Sequence, residues 1–177
     1  TYGDWEFRRV LFRSVILEDN SEISYDSLIL ATGAIPCNYK IGYKYPEGIY
    51  FIRTLDDAIN LSKKIEASKK AIIYAYGWGC KAACKGCISG RISLEMAYAL
   101  KNRGLDVTIV SNENRPLRQQ IDMDMSELIV DYLKGKGINL ITDKNVINIA
   151  GEDKVQGLIA DNELIDADII IMASGTR

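Results

Sequence analysis

The chain has 177 residues, with 22 Lys+Arg against 24 Asp+Glu, a formal net charge of -2 and no histidine. At 47% apolar residues it carries enough hydrophobic side chain to offset chain entropy, which excludes disorder as the main state. The mixed charge excludes a nucleic-acid surface built on bulk positive field. The missing histidine excludes Ser-His-Asp and Cys-His nucleophiles and His-ligated zinc. No apolar run reaches the roughly 18 residues of a membrane span, and no basic-then-apolar leader argues for secretion.

Residues 1–14 show neither helical nor strand periodicity and resemble a translated sequencing-adapter read-through. They are set aside as a non-native or unstructured leader, the alternative being an edge strand over 7–12. Residues 15–32 read as β: Val15-Ile16-Leu17, the turn Glu18-Asp19-Asn20-Ser21, a return at Ile23-Ser24-Tyr25, and a short apolar strand Leu28-Ile29-Leu30. Gly42 to Pro46 reads as a linker.

Beyond it, Ile49-Tyr50-Phe51-Ile52 reads as a strand. Thr54 and Asp57 form a capping-box variant at the start of a helix ending near Ser68, with Leu55, Ala58, Ile59, Ser62 and Ile65 on its apolar face. Ala71 to Ala75 is a buried strand. A second helix covers about 91–103, with Ile92, Met96, Ala99 and Leu100 inward and Gly104 as its stop. Asp106 to Val110 is a strand, and a third helix lies at about 122–135 with Met125, Leu128, Ile129, Tyr132 and Leu133 inward. Met123 and Met125 read as core filler. Ile138 to Ile141 is a strand. Residues 145–165 read as a β-meander turning at Gly151-Glu152-Asp153 and Asp161-Asn162, and Ile169 to Met172 closes the pattern after a turn residue, Asp168. Alternating strands and helices require a parallel sheet with right-handed crossovers, with helices expected on both faces. Such a sheet takes ligands at the carboxyl ends of its strands.

A dinucleotide fingerprint needs glycines between the first strand and its helix, so that the backbone can approach a pyrophosphate held on helix N–H groups. Two registers compete. Gly77-Trp78-Gly79 with Ala82 reads as G-x-G-x-x-A. The other runs from Ile88 through Gly90 to Ser93 and lacks its first glycine. The ribose-reading end of the next strand should follow by about 20 residues. Ser111 is 23 residues past Ile88 and 34 past Gly77, which favours the Gly90 register and makes 77–87 an insertion. A glycine-containing loop with no ligand is the competing reading. Ser111 stands where an acid would bond the adenosine ribose. A small residue there with a nearby arginine, Arg115, would suit NADP, but Glu113 is also near, so the coenzyme stays open.

Three strings carry a resemblance: Tyr25 to Pro36 with Ala31-Thr32-Gly33, Ser93-Leu94-Glu95-Met96-Ala97 to Val110, and Ala167-Asp168 to Ala173-Ser174-Gly175. Together with Phe51 to Ala58 they resemble the FAD-dependent pyridine nucleotide-disulfide oxidoreductase family over about residues 15–177. The resemblance implies an α/β fold, a Rossmann-like NAD(P)-binding domain with a parallel sheet and β-meander over 49–175, preceded by part of an FAD-binding domain over 15–48. It implies hydride transfer from NAD(P)H to the N5 of FAD and delivery to a small-molecule or small redox-protein acceptor. Ala31, Thr32 and Gly33 would line FAD; Gly90 and Ser93 would contact the NAD(P) pyrophosphate; Glu95 would lie near the nicotinamide; Gly175 would sit near the dinucleotide. The catalytic residue is unknown, because the family's first FAD loop and redox-cysteine helix lie upstream of the matched segment. Cys37 does not match the catalytic cysteine, and the chain reads as a fragment that binds FAD weakly or not at all. The expected setting is cytoplasmic, without nucleic acid or membrane, in a homodimeric full-length protein.

Two readings stand beside this one. The first is a non-catalytic dinucleotide-binding module. The second rests on Cys80, Cys84 and Cys87, whose C-x3-C-x2-C spacing matches the iron–sulfur loop of radical SAM enzymes. The following helix and meander do not suit that fold, and a fourth ligand is not nearby, so no metal is expected; free thiols or a corrupted stretch are the plainer readings.

Overall fold

The computed structural model describes residues 13–36, 47–75 and 89–175. The chain divides into two compact units, the first ending at Gly33 and the second beginning at Ala34.

In the first unit, β1 (Ser14–Ile16) pairs antiparallel with β2 (Glu22–Ser24). The turn between them uses Asn20 at φ +66, a left-handed position that asparagine tolerates better than most side chains. Ser14, within the segment set aside as leader, is buried in β1; the edge strand considered over 7–12 lies outside the described residues. The strand expected at Leu28 to Leu30 does not form. Ile29 and Leu30 are 88% and 76% exposed. An apolar run becomes a strand only where a neighbour supplies ladder hydrogen bonds, and β1 and β2 are paired with each other.

The second unit is built on a parallel sheet of five strands in the order β3-β10-β4-β5-β6. These are β3 (Ile49–Tyr50), β4 (Lys70–Ala75), β5 (Asp106–Ser111), β6 (Asn139–Ile141) and β10 (Ile169–Met172). Helix α1 (Leu55–Ile65) joins β3 to β4, α2 (Ser89–Asn102) joins β4 to β5, and α3 (Met123–Gly135) joins β5 to β6. Strand side chains alternate between the two faces. Ala71, Ile73, Ala75, Ile169 and Ile171 pack with Leu61 of α1, Ala97 and Leu100 of α2, and Leu133 of α3. Ile72, Tyr74, Ile170 and Met172 pack instead against Val146, Ile149, Leu158 and Ala160.

Those last residues belong to an antiparallel sheet, β7 (Val146–Ala150), β8 (Gly157–Ala160) and β9 (Glu163–Asp166). The expectation of helices on both faces is therefore wrong. Successive right-handed crossovers that advance in one direction leave their helices on one side; the meander covers the other. The β8–β9 turn is as anticipated: Asp161 and Asn162 both have positive φ, 47° and 67°, which a two-residue type I′ hairpin requires.

The expected helix faces need rotating. The capping box of α1 is present: Asp57 N–H donates to Thr54 Oγ1 at 3.2 Å and Thr54 N–H donates to Asp57 Oδ2 at 2.8 Å. Yet α1 buries Leu61, with Leu55 left 75% exposed and Ala58 and Ile59 also exposed. In α2 the buried positions are Gly90, Ser93, Ala97 and Leu100, while Ile92 and Ala99 face outward. In α3 Ser126 and Leu133 are buried; Met123, Met125, Leu128 and Tyr132 are exposed, so the two methionines are not core filler. Small residues bring a helix close to a sheet, so hydrophobic periodicity alone points to the wrong face.

Asp168 is the turn residue anticipated. Its Oδ2 accepts from Lys69 N–H at 2.7 Å and Lys70 N–H at 2.9 Å, tying the start of β4 to the start of β10. These bonds, Lys69 first, hold its carboxyl below the ordinary 3.8. Because the folded form binds the proton less readily than the unfolded chain, Asp168 stabilises the fold above its unfolded pKa. That contribution fades as pH drops through the folded value. Asp168→Ala is expected to cost about 1–2 kcal/mol near neutral pH. In urea titrations the difference from the parent should shrink below pH 4; a constant difference contradicts the assignment. Gly157 has φ +152, and a Cβ there would lie 2.1 Å from the carbonyl oxygen of Ile165. Gly157→Ala is expected to lower stability by about 2 kcal/mol or more, a fall in Tm of about 4–8 °C by calorimetry.

Candidate functional site

Parallel pairing brings the carboxyl ends of three strands to one rim. Ala75 is opposite Ser111 in the β4–β5 register, and Tyr74 is opposite Met172 in the β10–β4 register. Helix α2 begins at the same rim, since it follows β4 in the chain. The first N–H groups of any helix lack intrahelical partners and carry the positive end of its dipole. Gly90 is buried in this first turn, and Ser93 is fully buried with its hydroxyl donating to the Gly90 carbonyl at 2.7 Å. Ser93 therefore shapes and tightens the turn. Glu95 is exposed and pairs with Arg91 one turn back, at 3.5 Å.

Ser111 ends β5 fully buried. Its Oγ donates to the Ala75 carbonyl at 3.1 Å and accepts from Glu113 N–H at 3.1 Å. The hydroxyl thus joins the two strand ends and orients the loop that follows. Arg115, the arginine considered for a phosphate, is occupied: Nη1 donates to the carbonyls of Ile121 and Asp122 and to Ser126 Oγ at 2.6 Å, and Nη2 to the Arg118 carbonyl. It clamps the 116–122 loop to the start of α3, where Asp122 Oδ1 caps Met125 N–H. Glu113 is largely buried and pairs with Arg118, Oε2 to Nη1 3.3 Å. Neither Arg118 nor the strand-end role of Glu113 stands out in the sequence, because the loop's amino acids alone do not show which arginine is already bonded.

Gly175, three residues past β10, has φ +87. Ala31, Thr32 and Gly33 are exposed in the first unit, Gly33 at φ +74. The competing Gly77-Trp78-Gly79 register, Ile88, Cys37 and the Cys80, Cys84 and Cys87 group lie outside the described residues. Among the described residues no cluster of three or more Cys, Asp or Glu is arranged to hold a metal ion, and no helix is long and apolar enough to cross a membrane. A hollow of about 810 Å³ lies at the opposite edge, around Gly151 to Gln156, Lys70 and Asp168. Within its lining Lys70 pairs with Asp166 at 2.6 Å and Asp168 accepts from backbone N–H groups at the amino end of β4, so these residues serve the fold at the edge away from the carboxyl rim.

Residues 4–177 match the pyridine nucleotide-disulphide oxidoreductase family. A NADH oxidase from Methanocaldococcus jannaschii is 40% identical over 157 residues, 88% of this chain and 32% of that protein. A CoA-dependent NAD(P)H sulfur oxidoreductase from Pyrococcus furiosus is 28% identical over 165 residues, 92% of this chain and 34% of that protein. Among solved structures, an NAD-dependent persulfide reductase from A. fulgidus superposes with TM-score 0.75 at 27% identity, covering 93% of this chain and 29% of that one. The chain spans about a third of the length of these relatives. Arg115→Ala is expected to cost about 2 kcal/mol through several lost charge-assisted bonds, seen as a lower urea midpoint; an unchanged midpoint removes its clamping role. The parallel rim, the buried glycine turn of α2 and the match over residues 4–177 converge: this chain belongs to the pyridine nucleotide-disulphide oxidoreductase family.

Proposed function

We propose that residues 49–175 are the NAD(P)H-binding portion of a flavin-dependent oxidoreductase and that residues 15–48 are part of its FAD-binding domain. The observation that carries this reading is the juxtaposition of the α2 amino end with the carboxyl ends of β4 and β5. The donor set suits a dinucleotide: the first N–H groups of a helix such as α2 lack intrahelical partners and can serve an anion, and Gly90 in that turn carries no side chain of its own. Ser93 holds that turn by its bond to Gly90. Ser111 fixes the spacing of the strand ends on which adenosine would rest. Glu95, exposed beside Arg91, is read as lying near the nicotinamide, and Gly175, at positive φ beyond β10, as lying near the dinucleotide.

For the flavin, the chain offers Ala31, Thr32 and Gly33, with the exposed apolar run Leu28 to Leu30 just before them. Apolar side chains in that number favour a sheet laid against them, which supports reading this stretch as part of a larger flavin-binding sheet. When bound, nicotinamide supplies a hydride and flavin accepts it; the chain's own contribution is to orient the dinucleotide and keep its phosphates on fixed N–H donors. The same reading carries a cytoplasmic setting, a homodimeric full-length protein, and a small-molecule or small redox-protein acceptor.

Gly90→Val places a branched side chain in the phosphate turn. It is expected to weaken NAD(P)H binding by about tenfold or more, measured by calorimetric titration, with circular dichroism showing an intact fold. Equal affinity in parent and variant overturns the assignment. The parent chain should take up FAD weakly or not at all; a stoichiometric yellow flavin after purification contradicts the assigned division of the cofactor sites.

A further inference from the structure

The first unit ends at Gly33, and the second begins at Ala34. Gly33 is also the last of the three residues read as lining the flavin. It has φ +74, and a Cβ built on it would meet no atom within 4 Å. Ala31, Thr32 and Gly33 are all exposed. Packing therefore does little to fix this turn, and the direction of its backbone depends on what holds the next residue.

Ala34 is held by a side chain distant in sequence. Arg53 Nε donates to the Ala34 carbonyl at 3.1 Å, across 19 residues. Among the described residues, this is the hydrogen bond that reaches Ala31 to Ala34 from elsewhere in the chain. Arg53 is itself aimed. Its N–H donates to Asp57 Oδ2 at 3.0 Å, and the same oxygen accepts from Thr54 N–H at 2.8 Å. A capping box needs only the Thr54 and Asp57 bonds; the bond to Arg53 N–H is additional. The Thr54 bonds, with that of Arg53 after them, hold the Asp57 carboxyl below its ordinary value, so the acceptor is charged at neutral pH. One carboxylate at the start of α1 thus fixes two successive backbone residues, and the guanidinium extends from a set backbone to Ala34.

From this geometry we infer that Arg53 is a positioning residue for the flavin-binding turn: aimed by Asp57, it holds the Ala34 carbonyl and so fixes the backbone of Ala31, Thr32 and Gly33 for FAD. The inference rests on the flavin reading above. Arg53 acts through Ala34 and does not itself touch the cofactor. A charged donor gives a stronger bond to a carbonyl than a neutral one, and a backbone fixed before binding costs less to order when the ligand arrives.

Two measurements test it. The first is nitrogen-15 relaxation of the 177-residue chain without flavin. Arg53→Ala should lower the order parameters of Gly33 and Ala34 below about 0.6, the flexible range, with β4 and β5 unchanged. Arg53→Lys, which can still donate to the carbonyl, should restore part of the order. The second is FAD titration of the full-length protein after flavin removal. Arg53→Ala should weaken FAD about threefold to tenfold and alter the visible circular dichroism of the bound flavin. Affinity for NADH and NADPH should change less than about twofold, which general destabilisation would not produce. Because Asp57 acts through Arg53, adding Asp57→Ala to Arg53→Ala should weaken FAD no further. Unchanged order at Gly33 and Ala34, unchanged FAD affinity, equal weakening of FAD and the nicotinamide coenzymes, or a double variant whose losses sum overturns the inference and leaves the cofactor sites standing. A full-length parent that takes up no FAD overturns the flavin reading together with it.

Discussion

Strand β4 is hydrogen-bonded in parallel to β5 on one side and to β10 on the other, and the rest of the second unit follows from that arrangement. Parallel neighbours cannot be joined by tight turns, so each connection must climb back over a face of the sheet. Two of the connections are α2 and α3, which start where β4 and β5 finish. Helix amino ends and strand carboxyl ends then share one rim by geometry, before any residue at that rim is specified. The ladder is closed at the opposite edge by Asp168, whose carboxylate binds the first N–H groups at β4. A charge used there for alignment is unavailable for chemistry, and the same is true of Arg115 at the rim.

The two faces of the sheet are covered by different means. Helices pack on Ala71, Ile73 and Ile171, and the meander packs on Ile72, Tyr74 and Ile170. Alternating residues of one short strand thus belong to two cores, which is why its sequence reads as an unbroken apolar run. Small side chains set the closeness of the helix layer: Gly90, Ser93 and Ala97 are buried along α2. The requirement that brings α2 close to the sheet thus selects small residues on its inward side, Gly90 in the first turn among them.

The strands of the second unit were legible where apolar residues ran together or turn residues interrupted them, whereas the apolar run Leu28 to Leu30 read as a strand and is not one. Ile169 to Met172, the Asp161-Asn162 turn and the Thr54–Asp57 cap all appear as read. The helix faces were not, because apolar periodicity counts Leu55, Met125 and Leu128 as inward while burial favours Ser93, Ala97 and Ser126. Coverage of the second face by the meander was missed because the direction of chain advance across a sheet has no local signature. At the candidate site, the Gly90 register and Ser111 were proposed from the 23 residues that separate Ile88 from Ser111. The difference between Arg115 and Arg118 could not be read that way, since it lies in hydrogen bonds formed only after the 116–122 loop closes.

The account stands on the claim that dinucleotides bind at the strand carboxyl rim. Amide chemical-shift mapping of the chain during NADPH titration tests it most directly. Saturable shifts should concentrate on Gly90 to Ser93 and on Ser111 to Arg118, leaving Gly151 to Gln156 at the far edge unmoved. Shifts confined to that far edge, or spread without saturation, would contradict it.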